Sequence, residues 1–398
     1  MLNELDAVQG FAIALVATAV LTPVTMRFAR AIGAIDHARG RGLAPGGTPL
    51  LGGLAIFAGG AIAAIVTLPG RPVLHGILMA AALITLVGAI DDRVELSPLV
   101  KLLGQIAAAA VAVRAGVTVD NVTIPFVGSL QFGSLGDPLT VLGLVVVMNV
   151  VNLSDGIDGL AAGVCAISAA ALSVIAFDLA RNQAGILAAL TAGAALGFLI
   201  HHFHPASVYM GDCGSNLLGF MLGCVAVLGT VKTNAVLALI FPLIVLAVPF
   251  LDTTFVVLKR MKYGKPVYEA DREHFHHRLD RIGFSTRRTV LYLYAWTLML
   301  AGLAIALRFV PYSDNGGTLN VPWAAVMAGL GLLVIIASVY LVYVLEILKF
   351  KHLDALLLRR VRPTVTEEEI DADVARRIET GEFDAVRRET EEFERLKL

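Results

Sequence analysis

Residues 149–160 read Asn-Val-Val-Asn-Leu-Ser-Asp-Gly-Ile-Asp-Gly-Leu, between the uncharged run 141–148 and a second apolar run that begins at once. Two carboxylates at the end of a lipid-length helix are costly unless they bind something or face water. Gly156 and Gly159 permit close backbone approach and positive φ. Asp155 and Asp158 are three apart, which puts both on one face if the segment is helical. The stretch predicts a cation and phosphate site at a membrane surface. Taken alone it also fits a plain turn or a calcium-type loop.

The rest of the chain supports the membrane setting. Of 398 residues, 57% are hydrophobic and 16% charged, against about a quarter charged in soluble proteins. Mean hydropathy is +0.78. One large soluble core would not need repeated charge-free runs of about twenty residues. Net charge is -1, which makes no case for a nucleic-acid partner. Cys165, Cys213 and Cys224 form no CxxC pair and read as small core residues in a reduced setting. No cleavable signal peptide is expected, because residues 1–10 are acidic and the first apolar run is long enough to span.

Eleven apolar runs follow: 9–28, 50–68, 73–90, 99–115, 138–153, 159–177, 184–203, 215–231, 234–258, 289–310 and 322–345. One set of connecting loops holds fifteen Lys and Arg, nine of them between Lys259 and Arg288; the opposite set holds five. The positive-inside rule then puts the N-terminus outside and the C-terminus in the cytoplasm. The prediction is an all-α polytopic membrane protein of about eleven transmembrane helices. Alternation within residues 116–138 predicts a small outer β-hairpin. Residues 1–348 form the transmembrane domain and residues 349–398 a charged cytoplasmic tail. In that tail Thr366 and Glu369 fit a capping box.

With this topology, five polar motifs share the cytoplasmic face. Residues 33–57 carry Asp36, His37 and Arg39 among Gly and Pro, suited to an anion or a lipid headgroup. Asp91 and Asp92 are adjacent, with Lys101 and Gln105 further on; neighbouring carboxylates repel and favour a base or metal-associated site. The third motif is 149–160 itself. The fourth, residues 209–216, reads Tyr-Met-Gly-Asp-Cys-Gly-Ser-Asn and opens a helix, where free N–H groups suit a metal with a phosphate. Simple N-capping by Asp212 or Ser215 is the plainer reading. His201, His202 and His204, just upstream, read as interfacial or structural. The fifth follows Asp252 and ends in His274-Phe-His-His-Arg278-Leu, suited to a diphosphate and a sugar; zinc, with Asp271, is the less favoured reading.

In this order the motifs resemble the polyprenyl-phosphate N-acetylhexosamine-1-phosphate transferases, and more distantly the peptidoglycan MurNAc-pentapeptide transferases. The matching residues are Asp-Asp at 91–92, Asn-x-x-Asn-x-x-Asp-Gly-x-Asp-Gly-Leu at 149–160, Met-Gly-Asp-x-Gly-Ser at 210–215 and His-x-His-His-Arg-Leu at 274–279. Phe275 and Arg278 give the last motif the look of the GlcNAc-using branch. The loop at Asp36 departs from the family, which commonly has Pro after the Asp.

The resemblance implies that a polyprenyl phosphate attacks the β-phosphorus of UDP-GlcNAc, releasing UMP and leaving polyprenyl-diphospho-GlcNAc. This is a first lipid-linked step of cell-envelope polysaccharide synthesis, in the cell membrane. It implies Mg²⁺, with Mn²⁺ as a substitute, and admits a homodimer. Asp91, Asp92, Asp155 and Asp158 are the expected catalytic residues, with Asp212 and Asp155 on the metal. Lys101, Asn149, Asn152, His274, His276, His277 and Arg278 are expected to bind substrate. Pro242 and Pro249 are expected to bend the ninth run and open a prenyl groove. The same chemistry with another UDP-HexNAc or with UDP-MurNAc-pentapeptide is the nearest alternative. A polytopic transporter is the alternative of another class, although its charges should lie nearer the bilayer midplane.

Overall fold

The computed structural model describes residues 2–36, 47–68, 70, 72–119, 121–124, 128–231, 244–251, 253–254, 285–312 and 320–347. These residues are mostly helical: α1 (Glu4–Ile32), α2 (Gly52–Thr67), α3 (Pro72–Val94), α4 (Pro98–Arg114), α5 (Gly136–Ser154), α6 (Leu160–Asp178), α7 (Asn182–His202), α8 (Gly211–Ala226), α9 (Thr286–Phe309) and α10 (Val321–Ile347). Among the described residues, eight helices are long and apolar enough to cross a membrane. At 16 and 17 residues, α2 and α4 fall short of the roughly twenty that span a bilayer untilted. Ten of the predicted runs coincide with these helices. The ninth, 234–258, lies largely outside the described residues, as does the tail 349–398.

Helix α1 starts five residues before its predicted apolar run. Asn3 accepts from the Asp6 N–H and Asp6 accepts from the Asn3 N–H, a capping box that begins the helix in polar sequence. Further along, Pro23 has no N–H to give the carbonyl of Ala19. His201 Nε2 donates to that oxygen at 3.0 Å, so this histidine is structural, as expected.

The centre of the bundle is α6, α7 and α8, whose apolar windows are 78%, 78% and 83% buried, against 28% for α1 and 11% for α10. Small residues make this packing close; polar contacts and van der Waals fit, rather than exclusion of water, hold helices together in lipid. Helix α8 packs against α3 and α5, and α1 against α7 and α2. A Cβ on Gly53 would lie 2.2 Å from the Gly214 nitrogen, and one on Gly88 would lie 2.4 Å from Cys213. The start of α8 is thereby gripped between α2 and α3.

Two short antiparallel pairs complete the fold. Strands β3 (Asn121–Ile124) and β4 (Gly128–Gln131) form the predicted hairpin. Strands β1 (Ile35–Asp36) and β2 (Thr48–Pro49) pair across the first motif, which the sequence reading does not anticipate. From this pair, Pro49 O accepts from the Tyr209 N–H at 2.9 Å, and the Gly52 and Gly53 N–H groups donate to the carbonyls of Tyr209 and Met210. The beginnings of α2 and α8 are stitched together backbone to backbone.

A candidate metal and phosphate site at the start of α8

Several helix ends meet on one face: the C-termini of α3 and α5 and the N-termini of α4 and α8. They bring together Asp91, Asp92 and Asp212, whose ligand oxygens lie within 4.8 Å of one another. Lys101, from α4, bridges two of them. Its Nζ is 2.6 Å from Asp91 Oδ2 and 2.8 Å from Asp212 Oδ2. The other Asp91 oxygen accepts from the Leu96 N–H at 2.7 Å.

Asp92 caps α8 from a different helix. Its Oδ1 accepts from the Asp212 N–H at 2.7 Å and its Oδ2 from the Cys213 N–H at 3.2 Å. The alternative reading, self-capping by Asp212 or Ser215, is thereby not what the structure shows, and the Asp212 side chain is left for other work. Gly211 makes the contact fit: its φ is +70°, and a Cβ there would meet the Asp92 carboxylate at 2.3 Å. Asn152 Nδ2 donates to Asp212 Oδ1 at 3.1 Å and to Ser215 Oγ at 2.8 Å. Ser215 in turn donates to the Gly211 carbonyl at 3.0 Å.

Three carboxylates meet here with one ammonium, which touches two of them, at a helix start whose free N–H groups and dipole favour negative charge. Hard carboxylate oxygens with lone pairs to spare suit Mg²⁺ or Mn²⁺, so the donor set fits the expected ion. Asp155 is not part of the set.

Asp155 and Asp158 sit differently from expectation. Helix α5 ends at Ser154, Asp155 is its C-cap, and α6 does not begin until Leu160. The two residues flank a turn rather than share a helical face, because the chain leaves the helix at Asp155 (φ -81°, ψ +55°) and resumes only after Gly159, which takes a left-handed φ of +85°. Asp158 Oδ2 accepts from His204 Nδ1 at 2.8 Å and from the Ala206 N–H at 3.0 Å. Asp155 Oδ1 lies 3.8 Å from His202 Nε2, a buried atom with no hydrogen-bond partner among the described residues. His202 holds Val208 O through Nδ1 at 2.9 Å. From α9, Tyr294 Oη donates to the Gly159 carbonyl at 2.5 Å, and Arg287 Nε to the His204 carbonyl at 3.1 Å. The motif 149–160 is therefore clamped by the 202–208 loop and by α9.

Asn149, expected to bind substrate, lies one turn deeper. Its Nδ2 donates to Gln105 Oε1 and to Val145 O, each at 2.8 Å. His274, His276, His277 and Arg278 lie outside the described residues, as do Asp252, His37 and Arg39. Sequence reasoning misses His202 and His204 as partners of the two aspartates. The available signal is their place: a His-x-His at the end of α7, immediately before the helix that carries Asp212.

Residues 74–230 match the model of glycosyl transferase family 4, and this range holds Asp91, Asp92, Lys101, Asn152 and Asp212. A Bacillus subtilis protein named "Probable undecaprenyl-phosphate N-acetylglucosaminyl 1-phosphate transferase" is 35% identical over 314 residues, covering 77% of this chain and 87% of its own length. A Mycobacterium tuberculosis decaprenyl-phosphate N-acetylglucosaminephosphotransferase is 36% identical over 368 residues, 84% of this chain and 89% of the relative. A phospho-N-acetylmuramoyl-pentapeptide-transferase of Moorella thermoacetica is 31% identical over 317 residues, 75% of this chain and 97% of the relative. With matches of this length and identity, the chain belongs to the polyprenyl-phosphate N-acetylhexosamine-1-phosphate transferases of glycosyl transferase family 4.

Proposed function

We propose that this protein transfers GlcNAc-1-phosphate from UDP-GlcNAc to a membrane polyprenyl phosphate, releasing UMP, in cell-envelope polysaccharide synthesis. The observation that carries the reading is the convergence of Asp91, Asp92, Asp212 and Lys101 at the start of α8. A diphosphate donor brings concentrated negative charge, and such a site meets it with a divalent cation and an ammonium.

Asp91, Asp92 and Asp212 would hold Mg²⁺, which when bound supplies charge neutralisation and polarises phosphoryl oxygens. The protein's own groups do the placing. Lys101 keeps Asp91 and Asp212 together and offers N–H donors to a phosphate. Asn152 fixes the Asp212 rotamer through its amide. Asp91 has one oxygen on a backbone N–H and one on Lys101, which favours electrostatic placement over proton abstraction. A phosphate acceptor is already largely ionised near neutral pH, so little base catalysis is required. Asp155 and Asp158, across the turn, would meet the uncharged parts of the nucleotide sugar.

The lipid acceptor stays in the bilayer while the nucleotide sugar is cytosolic, so catalysis belongs at the inner face of the cell membrane. With eleven crossings, the N-terminus lies outside and the C-terminus inside, as the Lys and Arg distribution requires. Helix α1 agrees: Arg93, next to Asp92, donates from Nε to the Ile32 carbonyl at 2.8 Å, so α1 ends on the face of the cluster.

The test is UMP release by purified protein given polyprenyl phosphate, Mg²⁺ and one donor at a time. UDP-GlcNAc should outpace UDP-GalNAc and UDP-MurNAc-pentapeptide. Preference for another donor reassigns the sugar, and no release from any donor overturns the reaction.

A further inference from the structure

One helical turn deeper than the carboxylate cluster lies a second polar layer built by three of its four helices, α4, α5 and α8, with no charge in it. Gln105 is four residues after Lys101 on α4, Asn216 four after Asp212 on α8, and Asn149 three before Asn152 on α5. Residues three or four apart share a helix face, so each member of the upper layer stands over an amide.

The amides bond to one another in a line. Asn149 Nδ2 donates to Gln105 Oε1 at 2.8 Å, and Gln105 Nε2 donates to Asn216 Oδ1 at 2.8 Å. Asn216 Nδ2 closes the line by donating to the Asp212 carbonyl at 2.9 Å. Gln105 and Asn216 are each only 5% exposed. Buried amides in an apolar bundle are costly unless bonded, and no water is at hand to replace a lost partner. A slide of α4 by one residue along α8 would break two of these bonds together.

Taking the proposed transfer reaction as given, we infer that Gln105 and Asn216 are positioning residues: their amide ladder sets the axial register of α4 against α5 and α8. That register fixes how far Lys101 stands from Asp91 and Asp212, and where Asn152 meets Asp212. Asn149 serves the ladder from α5, through Gln105 and its own helix, instead of reaching the substrate.

The experiment compares Gln105→Met, Asn216→Leu, the double variant and the swapped pair Gln105→Asn/Asn216→Gln, each purified in detergent. It measures kcat, KM for UDP-GlcNAc and melting temperature. Ångström-scale misplacement of a reacting group costs about 100-fold in rate, so each single variant should lose kcat on that order with little change in KM. The double variant should lose no more than either single, because both remove one shared ladder. The swapped pair restores a side-chain bond of the same total length and should recover most of the loss. Unchanged kcat in the single variants overturns the inference. So do a double loss equal to the product of the singles, and a kcat loss that follows melting temperature without recovery in the swap. Should the single variants fail to fold, the swapped pair decides: inactivity in a folded swapped pair counts against the ladder. An inactive parent protein removes the proposed reaction; an active parent with an indifferent Gln105→Met removes only the ladder.

Discussion

Asp91, Asp92 and Asp212 cluster around one lysine that touches two of them, whereas Asp155 and Asp158 each face a histidine of their own. Both groups lie on one face of the bundle, in helix-end sequence rich in Asp and Gly, and both look alike on paper. Their surroundings differ in charge balance. The first group has three acids against one ammonium, with backbone N–H groups supplying the rest, so a divalent cation would relieve it. In the second, Asp158 is bonded to His204 and to the Ala206 N–H, and Asp155 lies 3.8 Å from the buried His202 ring, so the pair has as many imidazoles as acids and Asp158 is committed to holding the turn. An acidic motif therefore reads as a metal site only once its counter-charges are counted. By that count the start of α8 is the better candidate for a cation, and the 149–160 turn is the candidate for a wall of the proposed pocket.

Substitutions can break this contrast, in order of expected effect. Asp212→Asn should cut UMP release about 10³-fold, the scale of losing one electrostatic stabiliser of a transition state, with the melting temperature held. Asp155→Asn should cost clearly less; equal losses would merge the two regions into one metal site. Lys101→Met comes next, at about 100-fold in kcat, because Asp91 and Asp212 then face each other uncompensated. High Mg²⁺ should recover part of that loss, and failure to recover any would place Lys101 on the substrate alone. His204→Ala frees Asp158 and slackens the loop: KM for the nucleotide sugar should rise about tenfold while kcat changes little. A kcat effect larger than the KM effect would move Asp158 into the chemistry. Tyr294→Phe removes one hydrogen bond to the turn and should cost about 1 kcal/mol in stability, read as a modest fall in melting temperature at near-normal activity.

Much of the fold could be read from hydropathy, because helices in lipid must be apolar along their whole length and charges collect at their ends. The boundaries were harder to read. Helix α1 begins in the polar capping box at Asn3 and Asp6, which a hydropathy window discounts. The β1 and β2 pairing joins residues on either side of a long Gly-rich stretch, so no local periodicity marks it. In the site, Asp91, Asp92, Lys101, Asn152 and Asp212 were legible because each interrupts or ends an apolar run. The shared helical face for Asp155 and Asp158 was not, since the chain leaves the helix at Asp155 and turns until Gly159, which overrides the spacing of three. Nor was the capping of α8 by Asp92, a bond between residues 120 apart in sequence.

The central claim is that the Asp91, Asp92 and Asp212 cluster holds the divalent cation and the 149–160 turn does not. Mn²⁺ binding to the purified protein, followed by electron paramagnetic resonance with and without UMP and competed with Mg²⁺, tests it directly. Binding should be present in the parent and in Asp155→Asn and lost in Asp212→Asn. Binding that survives Asp212→Asn, or that disappears only with Asp155→Asn, would contradict the account.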